Sequence, residues 1–265
     1  MSLVSGTVLV TGATGGIGQA IARTFAARGA DLILTGRRAE VLEGLAAELD
    51  ARAIACDLAE RAEVQRLVAE TSPLDVLVAN AALPASGVLT ELSQEQIDRM
   101  IEVNLRAPIA LARALAPGMI ERGRGHMVFI SSLAGKAASP ASSIYSATKF
   151  GLRGFSLGLR EDLRPHGIGV SVLLPGFISD AGLFADAGDI KLPPGITTRS
   201  PEQVAAAVLG AIERNRAEVQ VAPLSLRLGA TFAGLAPQLA ATGSRLMGSD
   251  RIAAELAAGQ RDKRA

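Results

Sequence analysis

The chain has 265 residues, 49% of them hydrophobic but only 3% aromatic, which suits one large α/β domain with an aliphatic core. Its 27 lysines and arginines balance 26 aspartates and glutamates, so the chain as a whole has no field that would recruit nucleic acid or an anionic membrane. A single cysteine, Cys56, excludes an internal disulfide framework, and the N-terminal residues lack a signal pattern. We therefore expect a cytoplasmic protein whose partner is a small molecule.

Short β-branched runs alternate with longer helical patterns along the chain. This alternation predicts an α/β fold, a Rossmann-like doubly wound parallel sheet of about seven strands with helices on both faces. The predicted strands cover residues 7–10, 32–35, 53–56, 76–79, 127–130, 170–174 and 219–222. The predicted helices cover residues 17–28, 39–49, 61–70, 94–120 and 145–164, with a further helix capped by Ser200. Ligands of such sheets bind outside the carboxyl ends of the strands.

A glycine-rich turn, residues 11–18, joins the first predicted strand to the first predicted helix. Glycines there allow close backbone approach to a pyrophosphate, and the helix N-terminus offers free N–H groups. The spacing G-x-x-x-G-x-G differs from G-x-G-x-x-G, and such turns also occur without a ligand, but the position between strand and helix favours nucleotide binding. The candidate contacts are Gly12, Thr14, Gly15, Gly16, Ile17 and Gly18.

Arg37 and Arg38 follow the second predicted strand, where an NAD site would carry an acidic residue for the ribose 2′-hydroxyl. An arginine at this point can hold a 2′-phosphate through charge-assisted hydrogen bonds. The pair therefore favours NADP(H), with NAD(H) as the second choice. The alternative is that both arginines are solvated residues at the start of a helix.

Tyr145 and Lys149 are four residues apart on a predicted helix, so they share one face of it. A nearby ammonium favours the phenolate and lowers the pKa of a tyrosine towards the range of acid–base catalysis. Ser132 follows the 127–130 strand, where it could meet Tyr145 over a bound carbonyl or alcohol. Exposed helices also carry Tyr/Lys pairs by chance.

Together these features resemble the short-chain dehydrogenase/reductase family, over about residues 3–221. The turn matches the family's Thr-Gly-x-x-x-Gly-x-Gly, and Tyr145 and Lys149 match its Tyr-x-x-x-Lys. The resemblance selects Ser132 over Ser131 as the catalytic serine, because the family interval to the tyrosine is thirteen residues. The further cofactor contacts that it implies are Asp57 with its neighbour Leu58, Asn80, Tyr145, Lys149, Pro175, Gly176 and Ile178.

The resemblance also implies a reaction, hydride transfer between NADP(H) and a carbonyl or secondary alcohol. Ser132 and Tyr145 would hold the carbonyl, and Tyr145 would act as general acid or base. Lys149 would lower the pKa of Tyr145 and bind the nicotinamide ribose, and Asn104, at a backbone distortion in a long helix, would link Lys149 to solvent through water. A non-catalytic, redox-sensing NADP-binding regulator is one alternative, and an epimerase or dehydratase with a retained nicotinamide is another.

The sequence departs from the family pattern at two points. Ala82 replaces the glycine of the family's Asn-Ala-Gly, and Asp180 stands where the family often has a threonine that holds the nicotinamide carboxamide. Residues 180–199 correspond to the family's substrate-covering segment, and their apolar residues indicate either a lid over an apolar substrate or an ordinary loop.

We divide the chain into a catalytic domain, residues 1–222, and a helical C-terminal extension, residues 223–265. The extension is too interrupted to span a bilayer. It would pack on its own domain or a sister subunit, or form a helix at a membrane surface or at the substrate entry. The family resemblance implies a homodimer or homotetramer. The spacing of His126 and His166 indicates no metal site.

Overall fold

A parallel sheet of seven strands forms the centre of the molecule, as the sequence predicts. The computed structural model describes residues 2–84, 86–180, 184, 196–246 and 249–260, except for the side chains of residues 244 and 246. The strands are β1 Thr7–Thr11, β2 Asp31–Gly36, β3 Arg52–Ala55, β4 Val76–Ala79, β5 His126–Ile130, β6 Gly169–Pro175 and β7 Glu218–Val221. Each lies within two residues of its predicted bounds.

The strand order is β3-β2-β1-β4-β5-β6-β7, and every neighbouring pair is parallel. The connections run outward in one direction from β1 to β3 and in the other from β4 to β7. A crevice therefore opens at the carboxyl ends of β1 and β4, where the direction changes. β4, β5 and β6 are buried along their whole length, which explains their continuous apolar sequences.

Helices cover both faces of the sheet and bury an aliphatic core on each. In the described part of residues 1–222 the α-helices are α1 Gly16–Ala26, α2 Ala39–Leu49, α3 Arg61–Thr71, α4 Gln94–Ile101, α5 Ala107–Arg122, α6 Ser143–Leu163 and α7 Pro201–Glu213. One core lies under α1 and α7 and the other under α3, α5 and α6. Ser200 caps α7 through a reciprocal capping box with Gln203, as the sequence indicates. Cys56 is a buried core residue.

The helix predicted over residues 94–120 is interrupted, at the place where the family resemblance implies a backbone distortion. A π-helical segment, Glu102–Arg106, separates α4 from α5. Its hydrogen bonds reach one residue further than those of an α-helix, and hydrophobic periodicity does not reveal such a change. Asn104 lies within this segment.

Three short helices follow the sheet: α8 Leu224–Leu235, α9 Pro237–Leu246 and α10 Ser249–Gly259. Few of their side chains are buried. Among the described side chains of these helices, the buried apolar ones are Ala230 in α8 and Ala253 in α10. A membrane-crossing helix would have to be longer and more apolar than any helix in the described part of the chain.

Candidate active site

The glycine-rich turn is held rigidly between β1 and β4. Gly12 has a φ of +64°, and a Cβ on it would lie 2.7 Å from the Cα of Ala81. Asn80, at the end of β4, donates through its side-chain amide to the carbonyls of Thr11 and Gly12, at 3.0 and 3.2 Å. Asn80 lines the cleft, but the N–H groups of its side-chain amide donate to the turn. It therefore supports the predicted cofactor site by holding the backbone of the turn in place.

The first turn of α1 is open to a ligand. No side chain caps its N-terminus, which leaves backbone N–H groups and the positive end of the helix dipole directed at the cleft. A Cβ on Gly18 would lie 2.2 Å from the carbonyl oxygen of Gly12, so the helix approaches the turn more closely than any other residue would allow. This cradle fits the pyrophosphate of a dinucleotide.

Arg37 and Arg38 have different surroundings. The Arg38 guanidinium donates to the carbonyl of Thr14 and so ties β2 to the glycine-rich turn. Arg37 is exposed and makes no hydrogen bond or ion pair within the described residues, although it lines the same cleft. The structure therefore leaves Arg37 available to an anionic ligand group and commits Arg38 to the turn.

Asp57 lies beyond the end of β3 and is paired with Arg99 of α4 at 2.6 Å. It also accepts a hydrogen bond from the Ala59 N–H at 3.0 Å. Desolvation acts to raise the pKa of Asp57, but the Ala59 N–H and Arg99 more than offset this, so that the pKa is lowered. The carboxylate stays ionised and can accept a hydrogen bond from an adenine amino group. Sequence reasoning did not identify Arg99, since nothing local to it indicates that α4 reaches β3.

Ser131 and Ser132, which follow β5, have separate tasks. Ser131 is buried and donates to the backbone carbonyl of Lys149 at 2.9 Å, which fixes α6 against the strand end. The Ser132 hydroxyl accepts from the Ala134 N–H at 3.1 Å and faces the cleft. Of the two serines, Ser132 is therefore the one placed to touch a ligand.

Tyr145 and Lys149 project from the first two turns of α6 into the same part of the cleft. The Lys149 Nζ lies 5.6 Å from the centre of the Tyr145 ring and donates to the Ile130 carbonyl at 3.0 Å. Its side chain is almost completely buried. A solvated helix face, the alternative for this pair, does not fit that burial.

The pKa values of these two groups are governed by burial. Desolvation raises the pKa of Tyr145, and the Ser132 hydroxyl partly opposes that shift. This differs from the sequence expectation of a pKa lowered by Lys149, because burial of the phenol dominates and the ammonium makes no resolved contribution. Desolvation also lowers the pKa of Lys149 to about 8. Tyr145 is therefore protonated at neutral pH, the form that can donate a proton.

Asn104 is buried in the π-helical segment, and both polar atoms of its side chain are hydrogen-bonded. Its Oδ1 accepts from the Leu83 N–H at 2.7 Å, and its Nδ2 donates to the Leu83 carbonyl at 3.0 Å. Asn104 thus holds the loop after β4 as a wall of the cleft. One N–H of the amide and one acceptor site of its oxygen have no partner among the described residues.

Residues 175–199 begin and end at the cleft. Ile178 and Arg199 form a parallel bridge, and the Ser179 N–H donates to the Arg199 carbonyl at 2.9 Å. Asp180 has a φ of +60° and lines the cleft, while Phe184 contacts Phe177 with ring centres 4.8 Å apart. The rest of the predicted lid, 181–183 and 185–195, lies outside the described residues.

All these groups border one continuous cleft of about 1460 Å³. Every sequence-predicted site residue lines it except Asn104, which lies behind its wall. The extension also lines the cleft, through α8, α10 and the residue after α10. The sequence offered a substrate-entry helix only as an alternative for this segment and did not indicate which residues would line the cleft. These residues are Ser225, Leu226, Gly229, Ala230, Ser249, Ile252, Ala253, Leu256 and Gln260.

Comparison with known proteins agrees with this geometry. The family model described as short chain dehydrogenase matches residues 6–189. Dehydrogenase/reductase SDR family member 7B of Bos taurus is 36% identical over 253 residues, covering 88% of this chain and 78% of the relative.

Two solved structures have similar folds. One is a short-chain dehydrogenase from Sphingobium yanoikuyae in complex with NADPH, with 32% identity and a TM-score of 0.77. The other is the bulky-bulky ketone specific alcohol dehydrogenase from Comamonas testosteroni, with 28% identity and a TM-score of 0.73. Each comparison covers 88% of this chain and 94% of the other.

Proposed function

Because the chain belongs to the short-chain dehydrogenase family, we propose that it transfers a hydride between NADP(H) and a carbonyl or secondary alcohol, with Tyr145 as general acid or base. One observation carries this proposal. Ser132, Tyr145 and Lys149 converge in the same cleft as the open N-terminus of α1. A proton donor and a dinucleotide cradle are the two parts that carbonyl reduction needs from a protein.

Each side chain has a defined part in the reaction. Ser132 and Tyr145 donate hydrogen bonds to the substrate oxygen, and Tyr145 gives its proton to that oxygen as negative charge develops on it. Lys149 holds a positive charge beneath the phenol and hydrogen-bonds the nicotinamide ribose. When bound, the nicotinamide supplies or accepts the hydride.

The raised pKa of Tyr145 suits the reductive direction. A tyrosine that keeps its proton at neutral pH can give it to a developing alkoxide. In the oxidative direction Tyr145 must lose that proton, and a positively charged nicotinamide ring nearby would favour the phenolate. The pH dependence of alcohol oxidation should therefore extend to higher pH than that of ketone reduction.

We propose that NADP(H) is preferred over NAD(H). Arg37 lines the cleft and makes no hydrogen bond or ion pair among the described residues, although its charge helps to lower the pKa of Asp57. No acidic residue stands at the end of β2. The relative from Sphingobium yanoikuyae, crystallised with NADPH, supports the same choice. Arg37 would grip the 2′-phosphate, while Arg38 supports the turn. Asp57 and Leu58 would border the adenine, and the Pro175–Ile178 segment the nicotinamide.

We propose a bulky, apolar ketone or alcohol as the substrate. The cleft has apolar lining residues from the loops after the strands and from α8 and α10, among them Leu133, Phe177, Leu226, Ile252 and Leu256. Of the charged residues in the described lining, Asp180 is the one outside the set proposed for cofactor binding and catalysis. The specificity stated for the Comamonas testosteroni relative is consistent with such a pocket.

We also propose a cytoplasmic homodimer or homotetramer, built from the domain of residues 1–222 with residues 223–265 packed on it. Ile101 on α4 and Phe150 on α6 are exposed apolar residues on neighbouring helices and could belong to a subunit contact. Light scattering after gel filtration measures the stoichiometry.

The first test is oxidation of NADPH, followed by absorbance, with a panel of ketones, aldehydes, 3-oxoacyl thioesters and steroids, and with NADH in parallel. We expect turnover with the wild-type protein and a loss of at least about a hundredfold in the Tyr145→Phe variant, since general acid catalysis contributes that much or more. NADPH binding should survive, because the hydroxyl is a small part of the cradle.

Undiminished turnover in Tyr145→Phe would exclude the role given to Tyr145. Tight NADPH binding by the wild-type protein with no turnover on any substrate class would instead favour a regulator.

A further inference from the structure

Helix α8 carries a row of large apolar side chains that nothing in the described structure covers. Leu224 is 64% exposed, Leu228 62%, Phe232 49% and Leu235 82%. We call these four residues the apolar stripe. Leu239, at the start of α9, is 68% exposed and continues the apolar surface. Clusters of this kind are uncommon on a protein surface without a partner.

The stripe faces away from the catalytic domain. Its members recur at intervals of four, four and three residues, which places them on one side of a helix with 3.6 residues per turn. The opposite side of α8 carries the buried Ala230 and the half-buried Leu226. Leu226 packs towards Gly176 at the end of β6. The helix is thus attached through Leu226 and Ala230 and presents its other large apolar residues outward.

The segment that carries the stripe, between Glu218 and Asp250, has charges of one sign. Residues 219–249 contain no aspartate or glutamate, and their charged residues are Arg227 and Arg245. The extension as a whole, residues 223–265, has six basic and three acidic residues, so the rest of the chain carries the excess of negative charge. The net charge of +1 for the whole chain conceals this local asymmetry.

We infer that the apolar stripe docks the protein on an anionic lipid surface. Exposed leucines and a phenylalanine can enter the boundary between headgroups and acyl chains, while nearby arginines meet the lipid phosphates. A second copy of this chain fits less well, because a symmetric contact through the stripe would bring equivalent positive surfaces together. Helix α8 lies in the plane of the lipid surface in this arrangement and does not cross it.

Docking would place the substrate half of the cleft next to the lipid. The inner side of α8, with Leu226, Gly229 and Ala230, lines the cleft, while the outer side contacts the membrane. A bulky apolar ketone dissolved in the lipid would then reach Tyr145 past this one helix. That consequence rests on the proposed function, whereas the docking does not.

The test is flotation of the whole protein with vesicles of phosphatidylcholine, with or without phosphatidylglycerol. We expect the wild-type protein to float with the anionic vesicles, and less so as salt is added. The Leu228→Gln/Phe232→Gln variant should lose on the order of tenfold or more in partitioning, since two apolar anchors are removed. The matched control is Val41→Gln/Leu89→Gln, which changes two exposed apolar residues elsewhere and should float like the wild type.

The possible results separate the proposals. Wild-type protein that stays with the buffer, or a stripe variant that floats as well as the wild type, would overturn the docking. The docking would also be overturned if the stripe holds copies of the chain together, so that the variant floats poorly because its oligomers have dissociated. Light scattering detects this dissociation, which would make the stripe a contact between copies. Reduction of a water-soluble ketone without vesicles tests the proposed function separately, and the stripe variant should retain it.

Discussion

At the scale of single residues, the site depends on polar groups that are buried but satisfied. Lys149 is 2% exposed, and its ammonium donates a hydrogen bond to the Ile130 carbonyl. Burial alone lowers its pKa to about 8, so a modest change in its surroundings alters its charge near neutral pH. Binding of an anionic cofactor nearby should favour the charged form. Lys149 is thus poised to respond to occupancy of the site.

Arg37 gives a prediction about cofactor choice. The Arg37→Ala variant should raise the KM for NADPH by roughly tenfold to a hundredfold, the range for losing a hydrogen bond to a charged group, and should leave the KM for NADH nearly unchanged. Steady-state kinetics with both cofactors measure this. Arg164→Ala, which changes another exposed arginine far from the cleft, is the control. Equal losses with both cofactors would argue against a contact with the 2′-phosphate.

His126 gives a prediction about stability. It is 1% exposed, it hydrogen-bonds the Ser171 hydroxyl at 2.8 Å, and its pKa is lowered by burial, with a smaller effect of Arg160, from 6.5 to about 4. The unfolded chain therefore takes up a proton at higher pH than the folded one. The contribution of His126 to the free energy of unfolding is fully present above about pH 6.5. It falls by about 3 kcal/mol as the pH drops towards 4.

Urea unfolding across this pH range measures the effect. The His126→Asn variant should lose that part of the pH dependence, while His166→Asn, at the exposed second histidine, should keep it. The same pH profile in His126→Asn and the wild type would contradict the assignment.

At the scale of elements, the contact between α1 and the glycine-rich turn decides whether the cradle forms. In Gly18→Ala the new Cβ would meet the backbone of Gly12 and Ala13. Displacing that backbone would disturb the turn. We expect a loss of about 1–3 kcal/mol in the free energy of unfolding, as in other overpacked sites, together with weaker NADPH binding. Calorimetry and fluorescence titration measure the two effects.

Gly44 in the middle of α2 provides the matched control. A Cβ there would meet nothing within 4 Å, so Gly44→Ala should stabilise the protein by about 0.5–1 kcal/mol and leave NADPH binding unchanged. A Gly18→Ala variant that binds NADPH as tightly as Gly44→Ala would show that the close approach is not needed.

The elements that sequence could predict were those with a local signal. Buried strands such as β5 have long apolar runs in the sequence. Ser200 and Gln203 have the spacing of a capping box. The π-helical segment at Asn104 follows from tertiary packing against Leu83, which no helical period encodes. The same limit applies in the site, where the Tyr145–Lys149 spacing was visible but the pairing of Asp57 with Arg99 was not.

At the scale of the whole molecule, the cleft is made from two distant parts of the chain. The β1–β6 strand ends carry the residues that we propose bind the cofactor, and α8 and α10 line the part that we propose holds the substrate. Sequence alone predicts the first part, because its motifs are local. It left the second open, because the extension has no motif and its position depends on packing.

Gly229 tests the role of the extension. It lines the cleft, and a Cβ on it would meet nothing within 4 Å, so Gly229→Leu adds a side chain in open space without disturbing α8. We expect kcat/KM for bulky ketones to fall on the order of tenfold, while small aldehydes are little affected. Gly154→Leu, on α6 and outside the cleft lining, is the control with the same change. Equal losses for small and large substrates would argue against α8 as a wall of the substrate pocket.

The separation of the two halves has a consequence for how such a protein diversifies. Residues on α8 and α10 contribute two buried apolar side chains, Ala230 and Ala253, so most of these positions are under little constraint from folding. Random substitutions there would alter substrate range while leaving the glycine-rich turn and the proton donor intact. The extension is therefore the segment in which laboratory evolution should find new specificities with the fewest unfolded variants.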